Sequence, residues 1–324
     1  MKACTRSAYG SADVLQVRDI ELPTPADDQV LVQVRAASND RGVWHMMTGL
    51  PLVMRPVIGL RAPKVQVLGR AFAGVVTAVG SRVTKYGPGD EVFGTTNAGS
   101  WAEYTVAPER LIAPLPSAVS FEQGASLGCS GTSALQAVRV GDVRSGQRMM
   151  VIGAGGGVGS FVVSLAAQRG ASVTAVCSAS KRELVTSLGA EDVVDYAEEE
   201  VDARGQRYDV IVDCAGNRPL SLLRRALKPG GALVSVGGED HPGRLTQGFQ
   251  WQMLRPLAGV FVRRRVRSVI GKEGGEDLVE LGRMIAAGEL TPAITRTYSL
   301  VEAPDCMRDL AGGHPAGKLV LAIS

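Results

Sequence analysis

Residues Val151 to Ser160 read VIGAGGGVGS, preceded by two methionines and continued from Ser160 by the amphipathic stretch SFVVSLAAQRG. An apolar run that passes through a glycine-rich turn into a helix-period segment predicts a buried parallel strand feeding a helix. Gly153 supplies the freedom to turn where a Cβ would obstruct, Gly156 lets main chain approach a phosphate, and Gly159 lets the helix lie close on the strand. The helix start then offers unpaired N–H groups and a positive dipole end to a pyrophosphate. Apolar strand and helix patterns continue to alternate beyond it: SVTAVCS, KRELVTSLGA, DVVDY, YDVIVDCAG, SLLRRALKPGG, which is stopped by Pro229 and Gly230, and ALVSVGG. Five strands with helical crossovers predict a doubly wound parallel sheet that binds a dinucleotide.

This sheet accounts for only part of the chain. At 324 residues two domains of about 100 to 200 residues each are expected. From Val30 to Phe93 the pattern is different, with short β-branched runs (VLVQVRA, GVVTAVG, DEVFG) separated by turn clusters such as Gly87-Pro88-Gly89-Asp90, and WAEYTVA after them. These predict a mostly-β lobe. A helix at EDLVELGRMIAAG precedes Tyr298 to Ser324, which reads as strand, short helix and strand. That closing piece has too little apolar surface for a core of its own, so it is expected to pack back on the N-terminal lobe. The division predicted is 1–121 with 290–324 for the β lobe, and 122–289 for the dinucleotide lobe.

Composition narrows the function classes. With 45% apolar and 21% charged residues the chain can build real cores, and nothing marks it as disordered. A net charge of +3, spread along the chain, gives no case for nucleic acid or a membrane as partner. The densest basic stretch, Arg263, Arg264, Arg265 and Arg267, reads as a solvated strand edge or helix end. Cys4, Cys129, Cys177, Cys214 and Cys306 are far apart and lack the close pairs of a zinc site or a disulfide framework. His45, His241 and His314 stand without ligand partners at metal spacing and read as packing or surface residues. No apolar run approaches the roughly 18 residues of a membrane span, and the N-terminus has no apolar signal core, so a cytoplasmic protein is expected.

The choice of dinucleotide is read at the end of the second parallel strand, where NAD-binding chains usually carry an acidic residue for the ribose hydroxyl. Here the strand ends Cys177-Ser178-Ala179-Ser180-Lys181-Arg182, and no carboxylate appears before Glu183. Hydroxyls and two cations suit a ribose phosphate, which favours NADPH over NADH.

Taken together and in order, VLGRAFAGVVTAVGSRVTKYGPGDEVFG, GSWAEYTVAPE, SGTSALQAV, GAGGGVG, CSASKRELVTSLGAEDVVDY, YDVIVDCAGN and GGHPAGKLVLAI resemble the medium-chain dehydrogenase/reductase superfamily, in its zinc-free quinone oxidoreductase branch. The resemblance spans nearly the whole chain. It implies a GroES-like β lobe completed by the C-terminal strands, a Rossmann domain for NADPH, a cleft between them, and a homodimer. It also implies that Thr132 lies beside the nicotinamide ribose and amide, with Gly156, Gly157 and Val158 against the pyrophosphate. Ser178, Lys181 and Tyr196 would surround the ribose phosphate, and Asn217 and Gly237 would line the rest of the groove. Zinc-dependent members keep Gly-His-Glu where this chain has Gly69-Arg70-Ala71, so no catalytic zinc is expected.

Members of this branch deliver hydride to an enone, an enal or a quinone, a reaction that needs donor and acceptor in contact and charge stabilisation at the carbonyl oxygen. The active-site loop departs from the pattern A-S-V-N-P-x-D-W-H of close relatives. It reads Ala37-Ser38-Asn39-Asp40-Arg41-Gly42-Val43-Trp44-His45, so Asp40 stands for the asparagine, Arg41 for the proline and Val43 for the aspartate. Leu52 stands for a later tyrosine. Asp40, Arg41 and Arg70 are therefore the candidate catalytic residues, with an arginine stabilising an enolate and Asp40 moving a proton; pairing of Asp40 with Arg41 at the rim is the alternative. Trp44 and Trp101 could wall a flat substrate or simply pack. Beside the reductase stand two other functions for the same fold: a tailoring enzyme without net redox change, and a non-catalytic NADPH-binding regulatory or nucleic-acid-binding protein.

Overall fold

The computed structural model describes residues 1–237, 243–247, 265–269, 274–313 and 315–324. Two compact units divide the chain, Met1–Thr132 with Glu273–Ser324, and Ser133–Lys272.

Among the described residues the first unit holds strands β1 (Lys2–Thr5), β2 (Gln16–Asp19), β3 (Gln29–Asn39), β4 (Ala71–Val79), β5 (Glu91–Thr95), β6 (Tyr104–Pro108), β7 (Ile112–Pro114), β14 (Ile294–Ser299) and β15 (Lys318–Ala322). The main sheet runs β14-β15-β3-β4-β5-β7, and β6 also pairs with β3. The closing strand β15 lies antiparallel to β3, with Leu321 opposite Ala37 and Leu319 opposite Asn39. The C-terminal segment thus returns to the β lobe, as its small apolar surface requires. Val30, Val32, Val34, Phe72, Trp101, Leu319 and Leu321 share one core cluster. Trp101 is wholly buried, and its indole N–H donates to the Ser38 carbonyl at 3.3 Å, so it is a packing residue and not an aromatic wall.

Two helices in the span 121–289, only the second of them read from the sequence, pack within the first unit. Gly124, in the helix Phe121–Ser126, faces Leu115, Phe93 and Ala73; a Cβ on Gly282, in the helix Gly275–Ala286, would meet Phe93 at 3.2 Å and Pro116 at 3.4 Å. In both helices a glycine lets the backbone sit directly on side chains of the β lobe, Phe93 among them, a contact that periodicity does not reveal.

In the second unit the described strands are β8 (Arg148–Ile152), β9 (Ser172–Cys177), β10 (Asp192–Asp195), β11 (Tyr208–Asp213), β12 (Leu227–Ser235) and β13 (Arg265–Ser268). All pair in parallel, in the order β10-β9-β8-β11-β12-β13. The order reverses between β8 and β11, which makes the carboxyl end of β8 the topological switch point where such sheets bind ligands. The helix after β8, Gly157–Gln168, buries Phe161, Leu165 and Ala166, and Gly170 follows it at φ 77°. The edge strand β13 goes beyond the five strands predicted. It carries Arg267, exposed and donating to the Val140 carbonyl at 3.2 Å; Arg263, Arg264, His241 and His314 lie outside the described residues. Among the described residues no helix is long and apolar enough to cross a membrane.

Candidate functional site

The glycine turn closes as its spacing demands. Gly153 sits at φ 75°, its amide donates to Val176 at 3.0 Å, and its carbonyl accepts the Gly156 amide at 3.1 Å. A Cβ on Gly159 would press into that same Gly153 carbonyl, which is why helix and strand can approach only through glycine. Gly156 caps the helix in an extended conformation, so Gly157 and Val158 form its first turn, where amides have no partner inside the helix. Gly156, Gly157 and Val158 are all partly exposed.

The end of β9 packs against this turn. A Cβ on Gly155 would meet the Lys181 side chain at 2.5 Å (Cδ) and 2.9 Å (Cβ), so the aliphatic stem of Lys181 lies over the glycine run. Burial lowers the Lys181 pKa below its usual value, and the nearby Cys177 thiol opposes that. Ser178 and Ser180 share a 3.0 Å hydroxyl contact. Asp195, a buried carboxylate that sequence reasoning did not single out, accepts the Ala179 amide at 3.0 Å and the Ala197 amide at 2.9 Å. It therefore ties the Ser178–Lys181 turn to the segment holding Tyr196, whose side chain is 45% exposed. The signal was present in the DVVDY run, where an acidic residue closes a short apolar strand beside a turn that needs amide acceptors. Farther along the sheet ends, Asn217 is exposed, with its amide oxygen accepting from Arg218 at 3.1 Å. At Gly237 a Cβ would strike the Cys214 carbonyl. The predicted dinucleotide residues, Thr132 excepted, thus gather along the carboxyl ends of β8, β9, β10, β11 and β12.

Thr132 belongs to the first unit. The chain enters it through a π-helical turn, Leu127–Gly131, a distortion frequent at functional sites. The Thr132 hydroxyl is within hydrogen-bond distance of the Gly128 and Cys129 carbonyls, at 2.8 and 3.1 Å.

Asp40 ends the extended run of β3 and caps the helix Arg41–Thr48, a helix the sequence pattern did not disclose. Its Oδ1 accepts the Val43 amide at 3.2 Å, while Oδ2 is buried with no hydrogen-bond partner among the described residues. Ser38 Oγ and Asn39 Oδ1 are likewise buried without a hydrogen-bond partner. Three consecutive residues thus each hold one unsatisfied oxygen, an arrangement that is costly in a plain core and common where a ligand is bound. Arg41 stacks over Trp44 at 4.2 Å from the ring centroid, and Arg70 donates to Asn97 at 3.0 Å. Val43, at the position where relatives carry an aspartate, is wholly buried in the core. His45 is buried and contacts the Leu50 carbonyl through Nδ1 at 2.7 Å, the geometry of a packing histidine. Lys318, unnoticed in the sequence because it opens an ordinary apolar strand, reaches the same turn: its ammonium donates to the Asn39 carbonyl at 2.9 Å and to Ser130 Oγ at 3.0 Å. Among the described residues no three His, Cys, Asp or Glu side chains converge on a point that could hold a metal ion.

A parallel sheet with a glycine turn at its switch point, on a chain that also builds a β lobe with an unsatisfied polar turn, defines a dinucleotide-type oxidoreductase. Residues 26–117 match the alcohol dehydrogenase GroES-like domain, and residues 188–321 match the zinc-binding dehydrogenase domain. The chain is 30% identical to the 2-methylene-furan-3-one reductase of Solanum lycopersicum and to the NADPH-dependent alkenal/one oxidoreductase of Arabidopsis thaliana, covering 99% of itself and 79% of each relative. Among solved structures, the quinone oxidoreductase of Coxiella burnetii superposes with a TM-score of 0.85 at 28% identity, over 100% of this chain and 99% of that one. The chain belongs to the medium-chain dehydrogenase/reductase superfamily, as a quinone and enoyl reductase-like oxidoreductase.

Proposed function

We propose that this protein is an NADPH-dependent, zinc-independent reductase of conjugated carbonyl compounds: enones, enals or quinones. One observation carries the reading: the glycine turn at the switch point has a lysine stem folded over Gly155 and hydroxyls beside it, and no acidic side chain lies between Cys177 and Glu183. That donor set suits a phosphorylated ribose. The relative from Arabidopsis named as an NADPH-dependent alkenal/one oxidoreductase supports it, and so does Arg70, which stands where zinc-dependent members keep a histidine.

When bound, NADPH supplies the hydride. The chain's own work is to hold the two reactants and to manage charge. The first-turn amides of Gly157 and Val158 would take the pyrophosphate, with Ser178, Lys181 and Tyr196 at the ribose phosphate. The Thr132 hydroxyl would lie beside the nicotinamide, and on the acceptor side the Asp40 carboxylate is the polar group offered. Hydride arriving at the β-carbon would leave negative charge on the carbonyl oxygen, which hydroxyl or arginine donors stabilise, and Asp40 would move a proton at Oδ2, which has no hydrogen-bond partner among the described residues.

A panel of enones, 2-alkenals and quinones with NADPH and with NADH tests this. Acceptor-dependent loss of NADPH absorbance, with NADH much poorer, is the expected result. Conversion of a compound with no NADPH consumed would overturn it in favour of a tailoring step without net redox change.

A further inference from the structure

Lys318 takes no part in the assignments above, yet it is 1% exposed and ranks with Trp101, Phe72, Phe93 and Phe161 among the largest fully buried side chains. A lysine ordinarily keeps its charged head in water while burying its stem, and sinking the head is costly unless several acceptors receive it. Here the receiving groups are informative. Asn39, whose carbonyl takes one N–H at 2.9 Å, is the last residue of β3 and the one before Asp40. Ser130, whose hydroxyl takes another at 3.0 Å, lies in the π-helical turn two residues before Thr132. One ammonium therefore joins the two backbone segments that present Asp40 and Thr132. The charged and titratable groups acting on it are Asp40, Cys129 and Cys306. Asn39 is held from a second side, its amide N–H₂ donating to the Cys306 carbonyl at 3.0 Å.

We propose that Lys318 is a positioning residue for the reductase site, clamping the Asn39 carbonyl and the Ser130 hydroxyl so that the Asp40 carboxylate and the Thr132 hydroxyl keep a fixed separation while hydride is transferred. The inference rests on the reductase reading, and Lys318 acts through its neighbours without touching the reacting atoms. Burial depresses its proton affinity, and the nearby Asp40 charge partly opposes that.

The experiment compares wild type, Lys318→Met, Asp40→Asn and the double variant in steady-state reduction of a good acceptor from pH 6 to 10, with Ser130→Ala as a milder cut of the same clamp. Methionine preserves the length and volume of the buried stem. Lys318→Met is expected to lower kcat about tenfold while KM for NADPH changes less than about twofold, because only transition-state geometry is lost. It should also reshape the kcat–pH profile, and the double variant should be no slower than the slower single one, the mark of residues acting as a unit. Wild-type kcat and pH profile in Lys318→Met, or losses that multiply in the double variant, would overturn the proposal. If the wild type reduces none of the acceptors, it is the reductase reading that fails. The clamp is then decided by urea unfolding of the same four proteins: non-additive stabilities support it, and additive ones sink it.

Discussion

The carbonyl of Gly153 occupies the space that a Cβ on Gly159 would fill, while the nearest atom to a Cβ on Gly156 is that same carbonyl at 3.4 Å, an ordinary contact. Two glycines of one turn thus do different work. Gly159→Ala must push strand and helix apart, an overpacking cost of about 1–3 kcal/mol, and should lose both stability and dinucleotide binding. Gly156→Ala places its methyl where the backbone would meet a phosphate, so it should weaken binding with little change in stability. Urea unfolding and fluorescence titration with NADPH separate the two; equal loss of stability in both variants would contradict the close-approach argument.

Lys181 supports a second prediction. Its stem is held over Gly155, which fixes the arm before any ligand arrives. Lys181→Glu puts a carboxylate in place of the cation at the proposed ribose-phosphate site, and charge-assisted hydrogen bonds are worth about 1.5–3 kcal/mol. NADPH affinity should therefore fall by about ten- to a hundredfold, with NADH binding within about threefold of wild type. Measured NADPH affinity that stayed unchanged would remove Lys181 from the site.

The contrast between these glycines and the turn at Asp40 shows what a sequence can and cannot display. The doubly wound sheet was legible because buried parallel strands are apolar runs, and their punctuation by Gly153, Gly170 and Gly230 at positive φ reflects backbone shapes that other residues resist. The return of Tyr298–Ser324 to the β lobe was legible from its size alone. What stayed hidden depends on contacts far apart in sequence. Gly124 and Gly282 draw two helices onto Phe93, although their own periodicity says nothing of the partner. Lys318 and Asn39 are 279 residues apart, and a lysine at the start of an apolar strand looks like any strand-opening cation. Asp195 could be seen as the acidic end of the DVVDY strand, but its partners are backbone amides, which carry no residue signature.

Asp40 has two separable tasks, and two substitutions divide them. Its Oδ1 caps the helix Arg41–Thr48 through the Val43 amide, and its Oδ2 has no hydrogen-bond partner among the described residues. Asparagine keeps a capping oxygen and removes the charge; alanine removes both. Asp40→Ala should cost about 1 kcal/mol of stability, the usual value of a lost cap, whereas Asp40→Asn should cost a few tenths. If Oδ2 moves a proton, both variants lose turnover to the same degree despite their different stabilities. Turnover that tracked the stability difference would reduce Asp40 to a cap.

The buried thiols give the fold a defined alkaline limit. Burial pushes Cys4 and Cys306 from 9.0 up to about 12, so between those values the unfolded chain releases protons that the folded one retains. A raised folded-state pKa means that the thiol's contribution to stability is complete below pH 9 and is lost as pH climbs toward 12. The slope approaches 1.4 kcal/mol per pH unit for each group. Lys318 has the opposite sign: its folded pKa is lowered from 10.5 by burial, so in the window just below 10.5 the unfolded chain binds more protons and stability rises with pH. Cys4→Ala should consequently flatten the decline in unfolding free energy between pH 9 and 11, and Lys318→Met should steepen it. Urea unfolding of the three proteins across that range checks both signs. Parallel curves would show that neither the thiol nor the ammonium is as deeply desolvated as the geometry requires.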